Sequence, residues 1–278
     1  ADVFRTLMIS AEQTETVVAD PRVAAVTLTG SSQAGRKVAS IAGRHLKKCV
    51  LELGGSDPFI VLEDADLETT AQHALFARFQ NMGQSCIAAK RFILVDSIAD
   101  AFIGHVKILV EQMQWGDPRN EATTIAPMAR GDLRKELQSQ VERSLAAGAR
   151  LVAGGSAIST EGFYYQPTIL DYVQPGTPAF DEELFGPVMA ITRVKDAEEA
   201  IRLANRTPFG LGGSVWTSDV VRGEALARQI QAGSTFVNGV VKSDPRLPFG
   251  GIKDSGYGRE LSYFGIREFV NIKTLWIR

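Results

Sequence analysis

Short apolar runs rich in β-branched residues alternate along this chain with segments whose apolar residues recur every three or four positions. That alternation is the tightest constraint on the fold. Strands separated by helices cannot pair as hairpins, so they join through crossovers into a mainly parallel sheet flanked by helices. The spacing predicts strands over 24–29, 50–53, 58–62, 91–95, 151–153, 166–170, 188–194 and 235–237. It predicts helices over 34–46, from Asp66 (a capping residue) to the loop at Asn81, and along Ile98, Phe102, Val106, Leu109 and Met113. A further helix carries Leu133, Leu137, Val141 and Leu145 and stops at Gly148. Residues 6–9 and 269–278 also read as strands, and the glycine- and proline-rich stretch 246–259 reads as an ordered functional loop. The fold class expected is therefore α/β.

Composition narrows the partners. With 30 basic against 32 acidic residues and a net charge of −2, the chain has no general electrostatic pull toward nucleic acid or an anionic membrane. No apolar run reaches the length of a membrane span. Two cysteines in 278 residues are too few for a disulfide scaffold, which favours a reducing, cytoplasmic setting. The chain opens without Met, just before a strand-like stretch, so its start reads as cut. No metal site is expected.

Few side chains are candidates for chemistry. Cys86 sits in a polar, glycine-containing loop between a helix and a strand, where a reactive thiol and a packing role both remain open. Cys49, entering the apolar strand Val50-Leu51, reads as core. His45, His73 and His105 all lie inside helical patterns, in solvated or half-buried roles, and make poor partners for a nucleophilic cysteine. Glu52 interrupts a strand just before Gly54-Gly55, at the strand's C-terminal end where catalytic groups of α/β sheets collect. Its alternative role is an edge charge facing water. Residues 28–36 offer a strand, a tight turn and a helix start that can present N–H groups to an anion, although Ser31 as a plain helix cap explains them equally well.

Together, LTGSSQAGR (28–36), LELGGSDPFIV (51–61), QNMGQSCIAAKR (80–91), EELFGPV (182–188) and PFGGIKDSGYGRE (248–260) resemble the motifs of the aldehyde dehydrogenase superfamily, in family order. The intervening KKCVLELGGSDPFIVLEDADL and SYFGIREFVNIKTLW are similar to bacterial succinate-semialdehyde dehydrogenases. The resemblance implies a catalytic domain with a remnant of a Rossmann-like cofactor domain. It assigns residues 1–54 to the remnant, 55–260 to the catalytic domain, and 261–278 to a C-terminal helix and oligomerisation strand.

It implies Cys86 as nucleophile and Glu52 as general base. Gly30 and Ser31 lie where the cofactor pyrophosphate binds, Leu53 at the nicotinamide end, and Glu183 with Phe185 at the nicotinamide ribose. Phe249 lines the aldehyde entrance and Ser243 falls where a substrate carboxylate is held, with Lys242 and Arg246 nearby. The cofactor is NAD or NADP, the partner a small aldehyde, and the assembly a homodimer or homotetramer. The chain departs from some succinate-semialdehyde enzymes at Gln80, where those carry arginine, and at Ala88, where they carry a second cysteine. Two other readings are a coenzyme A-acylating relative, for which Glu52 has no use, and an inactive truncated catalytic or oligomerisation module; with the family's upstream half absent, this piece alone is expected to be inactive.

Overall fold

The computed structural model describes residues 3–278. In chain order its elements are α1 Thr14–Ala19, β1 Ala25–Thr29, α2 Ser32–Arg44, β2 Lys48–Glu52, β3 Asp57–Val61, α3 Leu67–Phe79, β4 Ala89–Val95, α4 Asp96–Glu111, α5 Gly131–Ala146, β5 Arg150–Ala153 and β6 Thr168–Asp171. There follow α6 Pro178–Asp181, β7 Val188–Val194, α7 Ala197–Ala204, β8 Gly212–Trp216, α8 Val220–Ala227, β9 Ser234–Val237, β10 Gly256–Tyr257 and α9 Ser262–Glu268. The chain forms two compact units.

The first unit takes the chain up to Gly54 and returns from Asp244 to Arg278. Its sheet runs β1-β2-β10, with β1 parallel to β2 and Thr29 opposite Glu52. β10 closes the other edge antiparallel, with Gly256 opposite Glu52. That pairing draws residues 244–260 into this unit, whereas the sequence reading grouped them with 55–243. α2 begins as its cap dictates: the Ser31 hydroxyl accepts from the Ala34 N–H at 3.2 Å.

The second unit, Gly55–Ser243, holds a seven-stranded sheet in the order β5-β6-β7-β4-β3-β8-β9. Every pairing is parallel except β5 with β6. Central strands covered on both faces read as continuous apolar runs, and β3 and β4 are buried throughout. Alternate residues feed two cores. Ile60, Ile93 and Val215 pack with Leu137, Val141 and Ile201 on one face. Phe59, Phe92 and Trp216 pack with Ala74, Phe102 and Val106 on the other. The Phe59 ring lies 4.9 Å from Phe92 and 5.0 Å from Trp216.

Two expected strands are not formed, and one strand was not expected. Residues 6–9 form no strand and are exposed. Residues 269–278 also form no strand, and Ile272, Leu275, Trp276 and Ile277 stand in solvent. Their alternation finds no strand to pair with inside this chain. β8 escaped the reading altogether, because Gly212-Gly213-Ser214 opens it with low β-propensity.

Candidate functional site

Two constellations of candidate residues form, one in each unit. In the first, Glu52 ends β2 and is 2% exposed. The alternative of an edge charge in water is thereby excluded. Neither carboxylate oxygen has a hydrogen-bond partner among the described residues. Burial, reinforced by the neighbouring Glu260 and opposed by Arg259, pushes the Glu52 carboxyl up to about 7. The loop 248–260 builds this environment. Phe249 and Glu260 exchange main-chain hydrogen bonds of 2.8 and 2.7 Å, and a side chain at Gly250 would stand 2.8 Å from Glu52 Oε1.

Gly30 is tied to the same residue, its N–H donating to the Glu52 carbonyl at 3.0 Å. Ser31 caps α2, and no acidic side chain occupies that helix's first turn. Leu53 is buried and donates its N–H to Ser255 at 3.1 Å. Phe249 is half-buried. Cys49 is half-buried rather than core, beside Tyr257, because it lies near the open start of β2.

In the second unit, Cys86 is free and partly exposed in the loop between α3 and β4. Burial pushes its thiol up, Lys90 pulls it down, and Asp57 and Glu183 push it further up. The approach to Cys86 runs through left-handed φ at Asn81 (51°), Met82 (56°) and Gly83 (67°); the strain falls on Met82 above all, since glycine adopts this region freely and Asn tolerates it. The Arg78 guanidinium clamps this loop, donating to the carbonyls of Gly83 (2.6 Å), Gly186 (2.7 Å) and Ala89 (2.9 Å).

Glu183 belongs to this cluster. Its Oε1 accepts from the Gly55 N–H at 3.0 Å and lies 3.5 Å from Lys90 Nζ, with 21% of the side chain exposed. Phe185, beside it, is half-buried. Ser243 and Lys242 are exposed on the coil after β9, and Arg246, in the first unit, is already engaged by Asp244 at 2.6 Å.

Sequence reasoning overlooked Lys90, Arg78, Asp57 and Gly55. Lys90 and Arg91 begin the buried part of an apolar strand, and a pair of charges there was the available signal. Arg91 is structural, donating to Ser56, Leu203 and Ala204 carbonyls at 2.9 Å each. Asp57 is fully buried and pushed up to about 6 by desolvation, with its Oδ1 accepting from Gly212 N–H at 3.0 Å. Among the described residues no group of three or more His, Cys, Asp or Glu is placed to hold a metal ion. No helix among them is long and apolar enough to cross a membrane.

The family model for aldehyde dehydrogenases matches residues 1–275. The succinate semialdehyde dehydrogenase Sad of Escherichia coli K12 is 52% identical over 260 residues, covering 94% of this chain and 56% of that relative. A probable NADP+-dependent succinate-semialdehyde dehydrogenase of Synechocystis is 51% identical, covering 99% of this chain and 60% of its own length. The crystal structure of a succinic semialdehyde dehydrogenase from Streptococcus pyogenes with NADP+ superposes with a TM-score of 0.95 at 42% identity, covering 98% of this chain and 60% of that one. The chain thus spans less than two thirds of the length of these relatives. On the match across nearly all its residues, the chain belongs to the aldehyde dehydrogenase family.

Proposed function

We propose that the protein carrying this chain oxidises an aldehyde, succinate semialdehyde by kinship with its relatives, to the carboxylic acid with NAD+ or NADP+. The observation that carries this reading furthest is Glu52: a buried carboxyl, unbonded at both oxygens, with a pKa of about 7. A group so placed takes a proton near neutrality, as a base for water requires.

Cys86 is the nucleophile. Because burial holds its thiol up, the proton passes to solvent water as the sulfur adds to the aldehyde carbon. The addition forms a C–S bond, opens the C=O double bond and leaves an oxyanion. The Cys86 main-chain N–H can donate to that oxygen, and a donor of this kind contributes roughly 10²–10³-fold in rate. An oxidised nicotinamide, when bound, would supply the hydride acceptor by which the Cys86 adduct becomes a thioester. Glu52 then removes a proton from water, hydroxide adds to the acyl carbon, and the C–S bond breaks to release the acid, the sulfur taking back the proton that Glu52 removed.

The chain's residues fit such a cofactor. Gly30 and Ser31 shape the turn into α2, whose first turn carries no acidic side chain and suits a pyrophosphate. Glu183 keeps part of its carboxylate toward solvent, suited to ribose hydroxyls. Leu53 and Phe185 would flank the nicotinamide end. Phe249 would line the aldehyde entrance. Ser243 with Lys242 would meet a substrate carboxylate. The exposed apolar tail Ile272, Leu275, Trp276 and Ile277 supports a homodimer or homotetramer. Two free cysteines support a cytoplasmic setting.

The test is to assay the purified protein with succinate semialdehyde and either cofactor, without coenzyme A, following reduced cofactor and free succinate. Stoichiometric release of both is expected. Dependence on coenzyme A would overturn the role given to Glu52.

A further inference from the structure

We propose that Lys90 is a positioning residue that shares its ammonium between the nucleophile loop and the Glu183 carboxylate, so that withdrawing Glu183 toward a ligand raises the reactivity of the Cys86 sulfur. The geometry is specific. Lys90 is wholly buried at the start of β4. Its Nζ donates to the carbonyls of Ser85 (3.0 Å), Cys86 (3.0 Å) and Ala88 (3.2 Å). Three donations require a protonated amine, since a neutral one has only two N–H groups to give. The loop itself therefore keeps the charge in place. Glu183 competes for that charge from 3.5 Å, and Asp57 is the other acid that favours it.

The charged groups that act on the Cys86 sulfur are Lys90, which favours its thiolate, and Asp57 and Glu183, which oppose it, while Arg78 acts on Lys90. Asp57 is fully buried and held by Gly212, so it cannot leave. Glu183 is the only one of the two acids with a solvent-facing portion. When its carboxylate turns to a ligand, Lys90 remains on the loop with its charge less compensated, and the thiol ionises more readily. The catalytic meaning of this coupling rests on Cys86 being the nucleophile. The coupling itself is measurable with neither aldehyde nor cofactor, so it can fail while that reading stands.

The experiment is alkylation of Cys86 by iodoacetamide across neutral to alkaline pH, followed on the Cys86 peptide by mass spectrometry to separate it from Cys49. Parent, Glu183→Gln, Lys90→Met and the double variant are compared, with folding checked by circular dichroism. Glu183→Gln is expected to label several-fold faster at neutral pH, with its profile moved to lower pH. Lys90→Met is expected to label more slowly, with its profile moved to higher pH. In the Lys90→Met background, Glu183→Gln is expected to have little further effect. Unchanged labelling in Glu183→Gln, or the same acceleration with and without Lys90, would overturn the proposal. If Lys90→Met fails to fold, Lys90→Gln takes its place in the same comparison, with the same outcomes deciding.

Discussion

The main chains of Gly55 and Cys86 approach so closely that a Cβ on Gly55 would stand 2.6 Å from the Cys86 carbonyl oxygen. The same Gly55 donates its N–H to Glu183 at 3.0 Å. One residue thus sets both the height of the loop that carries Cys86 and the orientation of the acid beside it. Gly55→Ala is expected to displace one of them, costing about 1–3 kcal/mol of stability and most of the turnover. Thermal unfolding together with kcat measures both, and a fully active, fully stable variant would contradict this relationship.

Glu52 gives a pH prediction with a definite sign. In the role proposed for it Glu52 works ionised, so kcat is expected to climb as pH rises through about 7, the value to which burial pushes its carboxyl. Glu52→Gln should remove that climb and lower the deacylation rate by roughly 10²–10⁴-fold. A pH–rate profile under saturating substrate reads both outcomes.

The same carboxyl carries an opposite prediction for stability. Its folded pKa of about 7 lies above the ordinary 4.5, so the folded chain holds this proton more tightly than the unfolded one. The stability this contributes is present at acid pH and is lost as pH rises from about 4.5 through about 7. Glu52→Gln is expected to flatten that loss, by roughly 2–3 kcal/mol between the two ends of the window. Urea unfolding at acid and at mildly alkaline pH compares the slopes.

Arg78 is buried with its charge spread over main-chain carbonyls rather than a carboxylate. Arg78→Met leaves those carbonyls unpaired in the interior. A loss of about 3 kcal/mol is expected, with the nucleophile loop loosened. Denaturant unfolding and faster proteolysis within residues 80–88 would report it.

Much of the architecture was legible because it follows from local rules. The β-branched run 188–194 is β7 with unchanged bounds, and Ser31 and Asp66 cap the helices they were expected to cap. What stayed hidden depended on partners distant in the chain. The glycines of β8 carry little propensity of their own, yet β8 takes its place through pairing with β3 and β9. Residues 269–278 alternate like a strand but pair with none among the described residues, because the strand expected there is one that joins a neighbouring subunit's sheet. Cys86 and Glu52 stood out by position, one in a polar loop and the other breaking an apolar strand. Lys90 and Arg78 did not, because their acceptors are carbonyls, which every residue possesses and no sequence advertises.

The central claim is that Cys86 carries the acyl group and Glu52 serves its release. The most direct measurement is a single-turnover reaction of the Glu52→Gln protein with aldehyde and oxidised cofactor, quenched and mapped by peptide mass spectrometry. The account requires a burst of about one reduced cofactor per active site, then a stall, with the acyl mass on the peptide containing Cys86. An unmodified Cys86, an acyl group elsewhere, or continued turnover at the parent rate would contradict it.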